Sequence, residues 1–178
     1  MPFNEQQEHA MRRALELALN GPVKGLNPRV GAVLINDAGE IVAEGWHRGS
    51  GTDHAEVAAL KNLVANGRAA HEGPIAAGLT AVVTLEPCNH TGRTGPCAQA
   101  LIAAGIAKVV YGSSDPGAKS SGGAKTLSEA GVEVLSGVLA AECDEQARVW
   151  LTATKQGRPF VTVKWASTLD GRSAAEDG

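Results

Sequence analysis

The sequence predicts an α/β fold, a layered sheet with at least partly parallel strands. Short β-rich apolar runs alternate with stretches of helical periodicity along most of the chain, and Gly, Pro and Asn-Gly punctuation separates them. Size agrees: 178 residues, 43% of them hydrophobic, suit one compact domain and the start of another.

The elements follow in order. Asn4 is a helix N-cap with Gln7 three residues on, and Met11, Ala14, Leu15, Ala18 and Leu19 continue at helical spacing to a stop at Asn20-Gly21-Pro22. PRVGAVLIND and EIVAEGWH are two strands joined as a hairpin around Asp37-Ala38-Gly39. HAEVAALKNLVANG is a helix closed by Gly67. LTAVVTLEP reads as a buried strand, PCAQALIAAG as a helix, AKVVYGS as a strand, GAKTLSEAG as a helix and VEVLSG as a strand. Leu139, Cys143, Ala147, Trp150 and Leu151 share one face of a single last helix. The tail GRPFVTVKWASTLDGRSAAEDG contains a strand, PFVTVKWA, with no later element to pack against, so its edge is open to a second copy and the chain is a candidate homo-oligomer.

Composition narrows the function. No run reaches the roughly 18 apolar residues of a membrane span, and MPFNEQQEHAMRR is too polar and acidic for a secretory signal, so a cytoplasmic protein without a membrane partner is expected. A formal charge of -3, a pI near 5.9 and only 3% aromatic residues argue against nucleic acid as a partner. Three cysteines, Cys88, Cys97 and Cys143, cannot all pair within one chain, and in a reducing compartment thiols serve as packing groups, metal ligands or reactive groups.

Cys88 follows the LTAVVTLEP strand and Cys97 stands near the start of the next helix, which puts both thiols at the carboxyl edge of the sheet, where open α/β folds hold their ligands. His54 opens another helix at that edge. One histidine and two cysteines suit tetrahedral zinc and leave a fourth position for water. Helix N-termini also favour the thiolate form that zinc requires. Glu56, two residues past His54, is then placed to take a proton from water and return it to a leaving group.

His54-Ala55-Glu56 followed by Pro87-Cys88 matches the H-x-E and P-C halves of the zinc-deaminase signature, except that eight residues rather than two precede Cys97. HAEV, LEPCNHTGRTGPC and NPRVGAVL together resemble the deaminase domain of the bifunctional riboflavin-biosynthesis deaminase/reductase, over residues 4 to about 158. The resemblance implies a three-layer α/β/α cytidine deaminase-like fold around a five-stranded mixed sheet. It implies hydrolytic release of ammonia from a diamino-hydroxy-pyrimidine carrying a ribosylamino 5'-phosphate, a small-molecule substrate. By the same resemblance His54, Cys88 and Cys97 hold Zn2+, Glu56 shuttles the proton, Asn27 and His47 contact the substrate, and His90 and Arg93 approach the base and phosphate. Residues 1–158 are the deaminase domain, and 159–178 resemble the first strand and turn of the family's reductase domain, too little for reductase activity. The family's T-P-P-C appears here as Thr94-Gly95-Pro96-Cys97, a change that loosens the loop without removing a ligand.

Plainer readings stand beside these. Glu56 can close a capping box with Asp53. Cys88 and Cys97 can belong to a closed structural site with His90 as a further ligand, which makes the chain a non-catalytic zinc-bearing module. The substrate can be another base, a nucleotide or a tRNA adenosine. Cys143 lies on an apolar stripe and reads as a packed thiol. His9 and His71 read as solvated, and DPGAKSSGGAK, lacking phosphate-loop spacing, as a flexible surface loop.

Overall fold

A computed structural model describes residues 3–67, 73–91 and 95–173 of the chain. Helix α1 spans Glu5–Ala18 and opens with the expected capping box: the Asn4 side chain accepts from Gln7 N at 2.8 Å, and the Gln7 side chain accepts from Asn4 N at 3.2 Å. Strands β1 (Gly31–Ile35) and β2 (Ile41–Trp46) form the antiparallel hairpin. Helix α2 (Ala55–Ala65), strand β3 (Thr80–Leu85), helix α3 (Cys97–Ala103), strand β4 (Lys108–Ser113), helix α4 (Gly123–Glu129) and strand β5 (Glu133–Ser136) follow in the predicted order.

The sheet runs β2-β1-β3-β4-β5. Its first three strands pair antiparallel and its last three parallel, so β3 is where the two patterns meet. Side-chain alternation sorts the strands onto two cores. Ala32, Leu34, Ala81, Val83 and Val109 face α2, α3 and α4, while Val33, Ile35, Val82 and Val110 face α1 and the segment around Cys143. The result is the expected three-layer α/β/α arrangement.

Two glycines let the layers approach closely. A Cβ on Gly31 would lie 1.9 Å from Ala14 O of α1, and one on Gly45 would lie 2.4 Å from both Ala55 O and Ala59 N of α2. Any side chain at either position would push a helix off the sheet.

The single last helix is two. Helix α5 (Ala140–Gln146) and helix α6 (Arg148–Gln156) are separated at Ala147, whose φ of -89° and ψ of 3° interrupt the helical run. The i, i+4 pattern is continuous across the break, so spacing alone does not reveal it. Cys143 stays in the core while Trp150 lines a pocket.

The strand expected at 159–166 is not formed. Nothing among the described residues pairs with it, and Val161, Val163 and Trp165 are exposed. A turn does follow, closed by Thr168 N donating to Arg172 O at 2.9 Å. Among the described residues no helix is long and apolar enough to cross a membrane.

Candidate active site

Three chain segments converge beyond the carboxyl end of β3. The strand runs out through Glu86 and Pro87 to Cys88, α3 begins at Cys97, and His54 is the N-cap residue of α2. His54 Nδ1 lies 3.1 Å from Cys97 Sγ and 3.5 Å from Cys88 Sγ, and the three ligand atoms all fall within 4.8 Å of one another. Tetrahedral zinc, with sulfur at about 2.3 Å and nitrogen at about 2.0 Å, separates its ligand atoms by about 3.5 Å, so this donor set fits the ion in both spacing and chemistry. His54, Cys88 and Cys97 are the only such group of His, Cys, Asp and Glu side chains among the described residues.

The thiols are electrically unequal. Cys88 is pushed down to about 3, first by the Cys97 thiol donating to it, with burial opposing and His54 adding to the effect. Cys97 moves the other way, because it supplies that hydrogen bond and is itself buried. The Cys97 backbone N–H also donates to Cys88 Sγ at 3.5 Å. His54 is raised, chiefly by its hydrogen bond to Cys88. Cation binding favours deprotonated ligands, so a metal here would be taken up with release of protons.

Glu56 is buried at 4% exposure and lines the pocket. Burial pushes its carboxyl above the usual range, the direction that suits a group that both takes and gives a proton near neutrality. The capping-box reading does not hold: α2 starts at His54 with no side-chain cap, and Asp53 instead pairs with Lys61 at 2.6 Å. The Glu56 carboxyl instead accepts from its own backbone N–H and from the Cys97 thiol.

Asn27 and His47 form one unit. His47 Nδ1 lies 3.0 Å from Asp53 O, a carbonyl that can only accept, so this nitrogen carries the proton and Nε2 accepts from Asn27 Nδ2 at 2.9 Å. Asn27 is itself part of the pocket wall. The His47 ring also stands edge-on to His54, with centroids 5.3 Å apart.

Asn27, His47, His54, Glu56, Cys88 and His90 line one pocket of about 440 Å³. His90 is not part of the metal-ligating group, and its Nδ1 is buried with no hydrogen-bond partner. Arg93 and His71 lie outside the described residues.

Sequence reasoning missed part of the wall. The 115–125 stretch, read as a flexible surface loop, supplies Asp115, Lys119 and Ser120 to the pocket, and Glu86 and Trp150 also line it. The loop is tied down: Asp115 Oδ1 accepts from Gly117 N at 2.7 Å, and Asn89 N donates to Ser120 O at 2.9 Å. Asp-Pro-Gly is an Asx-turn signal that could have marked its first bend. Nothing local marks Trp150.

With this geometry in view the comparisons are specific. Residues 4–113 match the cytidine and deoxycytidylate deaminase zinc-binding region. The chain belongs to that deaminase family. Along 99% of its length it is 44% identical to the riboflavin biosynthesis protein RibD of Mycobacterium tuberculosis, and it spans 51% of that protein. A crystal structure of a diaminohydroxyphosphoribosylaminopyrimidine deaminase/5-amino-6-(5-phosphoribosylamino)uracil reductase from Thermotoga maritima superposes with a TM-score of 0.86 at 41% identity, covering 97% of this chain and 48% of the other. The Aspergillus oryzae Rib2 deaminase in complex with DARIPP matches at a TM-score of 0.68 and 26% identity, over 85% of this chain and 95% of that one. The chain therefore has the cytidine deaminase-like fold and spans about half the length of the curated relatives it matches.

Proposed function

We propose that the chain catalyses zinc-dependent hydrolytic deamination of a diamino-hydroxy-(5-phosphoribosylamino)pyrimidine, releasing ammonia. The observation that carries the reading is the placement of a buried carboxyl, Glu56, in a pocket lined by His54 and Cys88 of the only His-Cys-Cys group among the described residues. The identity to RibD proteins and the likeness to the Thermotoga structure supply the substrate class. His54, Cys88 and Cys97 would hold the zinc, which lends Lewis-acid character and so makes water an effective nucleophile near neutral pH.

The protein's own groups do the rest. Glu56 takes the proton from the attacking water and delivers it to the departing amine, so one raised carboxyl serves both halves of the reaction. His47, fixed by Asp53 O, orients Asn27 so that its Oδ1 accepts from an N–H of the pyrimidine. His90 offers its unpartnered Nδ1 to the base, and Arg93 approaches the phosphate. The free thiols suit a reducing compartment, the cytoplasm. Residues 1–158 form the deaminase domain in this reading, and 159–178 begin a second one.

The test is Glu56→Gln. It should keep about one zinc per chain by metal analysis while ammonia release from the phosphoribosylamino pyrimidine falls about 10²- to 10⁴-fold. Turnover at the wild-type rate would remove Glu56 from the mechanism.

A further inference from the structure

Glu86 is a second carboxyl in the site, 9% exposed, and the proton chemistry above does not use it. Its oxygens face backbone donors. Oε2 accepts from Asp115 N at 3.2 Å, and Oε1 accepts from Gly122 N at 3.3 Å and Ala124 N at 3.1 Å. These amides come from the two ends of one loop, so a single side chain closes it. The far end is also seated by shape, since a Cβ on Gly123 would lie 1.7 Å from Pro87 O.

A side chain that accepts from three backbone N–H groups, drawn from both ends of one loop, has its oxygens taken up by the backbone. It is a good anchor. What the closed loop presents to the pocket is Ser120 and Lys119, and Lys119 is the only Lys or Arg among the described lining residues. Loop position therefore decides where the Lys119 charge sits.

We propose that Glu86 is a positioning residue that fixes the 115–124 loop so that Lys119 meets the anionic end of the bound substrate. The inference rests on the phosphorylated substrate proposed above. Glu86→Gln turns one accepting oxygen into an amide donor that faces other donors. In the full, metal-loaded chain it should raise KM for the phosphoribosylamino pyrimidine about tenfold while kcat stays within about twofold and metal content is unchanged. Lys119→Ala, at an exposed position, should raise KM to a similar degree. In the double variant the Lys119 effect should shrink to about twofold or less, because the two residues act through one loop.

A collapse of kcat at constant KM in Glu86→Gln would place Glu86 in proton transfer and overturn the proposal. Full additivity of the two changes, or an unchanged KM in Lys119→Ala, would overturn it as well, and the Lys119 result decides even where Glu86→Gln does not fold. Failure of the wild-type chain to turn over that pyrimidine sinks the substrate reading separately. The anchor is then judged by amide hydrogen exchange: exchange at 115, 122 and 124 about tenfold faster in Glu86→Gln supports it, and unchanged exchange overturns it.

Discussion

Cys143 and Cys88 are both buried, in different regions of the fold, and their thiols behave in opposite ways. Cys143, on the α1 face, packs with Met11 and Val138 in an apolar core, and burial pushes its thiol up to about 12. Cys88, at the edge served by α2 and α3, accepts hydrogen bonds from Cys97 and His54 and is pushed down to about 3. Burial raises a thiol and donors aimed at it favour its thiolate, and Cys97, the donor of that pair, is raised as well. The difference extends to the helices. Those on the α2–α3 face start at the sheet's carboxyl edge and bring His54, Glu56 and Cys97 there, whereas α1 brings only packing.

Exchanging the cysteines gives the largest contrast. Cys97→Ala should abolish metal binding and ammonia release together, measured by metal analysis and turnover. Cys143→Ala should retain both and lower stability by about 1–3 kcal/mol in urea unfolding, the cost of a small cavity. Loss of metal in Cys143→Ala would break the division between the faces.

The close-contact glycines sharpen the same comparison. Gly31→Ala and Gly45→Ala each force a Cβ against helix backbone and should each cost about 1–3 kcal/mol. Only Gly45→Ala moves α2, whose first turn carries Glu56 and whose cap is His54. It should lower kcat/KM more than about tenfold, because small displacements of catalytic groups are costly. Gly31→Ala should leave turnover per folded molecule within about twofold. Equal kinetic losses in the two variants would show that α1 and α2 are equally coupled to the site.

What was legible in the sequence follows this division. Strand alternation, helix periodicity and the capping box at Asn4 are local, so the order of elements through β5 could be read directly. That His54, Glu56, Cys88 and Cys97 would come together could be read because metal chemistry restricts residue type and spacing. The rest depends on contacts between distant residues. Glu86 reaches amides 29 to 38 positions away, and no pattern within a window of one element encodes that. Trp150 fitted an apolar stripe, and only the break at Ala147 sends it to the pocket. Asp53 and Glu56 had capping-box spacing, but the Asp53 carboxylate finds Lys61 instead.

The smallest expected effect belongs to the α1 face. Arg13 Nε and Nη2 donate to the two Glu44 oxygens at 2.7 and 2.9 Å, tying α1 to the edge strand β2, and Arg13 also reaches Glu16 at 3.0 Å. The Arg13 guanidinium holds the Glu44 carboxyl below its ordinary value of 4.5. A carboxyl lowered on folding contributes stability that is present above its unfolded pKa and is lost as pH falls through the folded one. Both side chains are about a third or more exposed, so solvent screening keeps the contribution under about 1 kcal/mol. Arg13→Ala should therefore lose that amount at about pH 7 and progressively less below about pH 4, read as converging urea midpoints. Metal content should not change at neutral pH, since the pair lies on the α1 side of the sheet, away from His54, Cys88 and Cys97. A metal loss in this variant would mean that the two faces are coupled through β2.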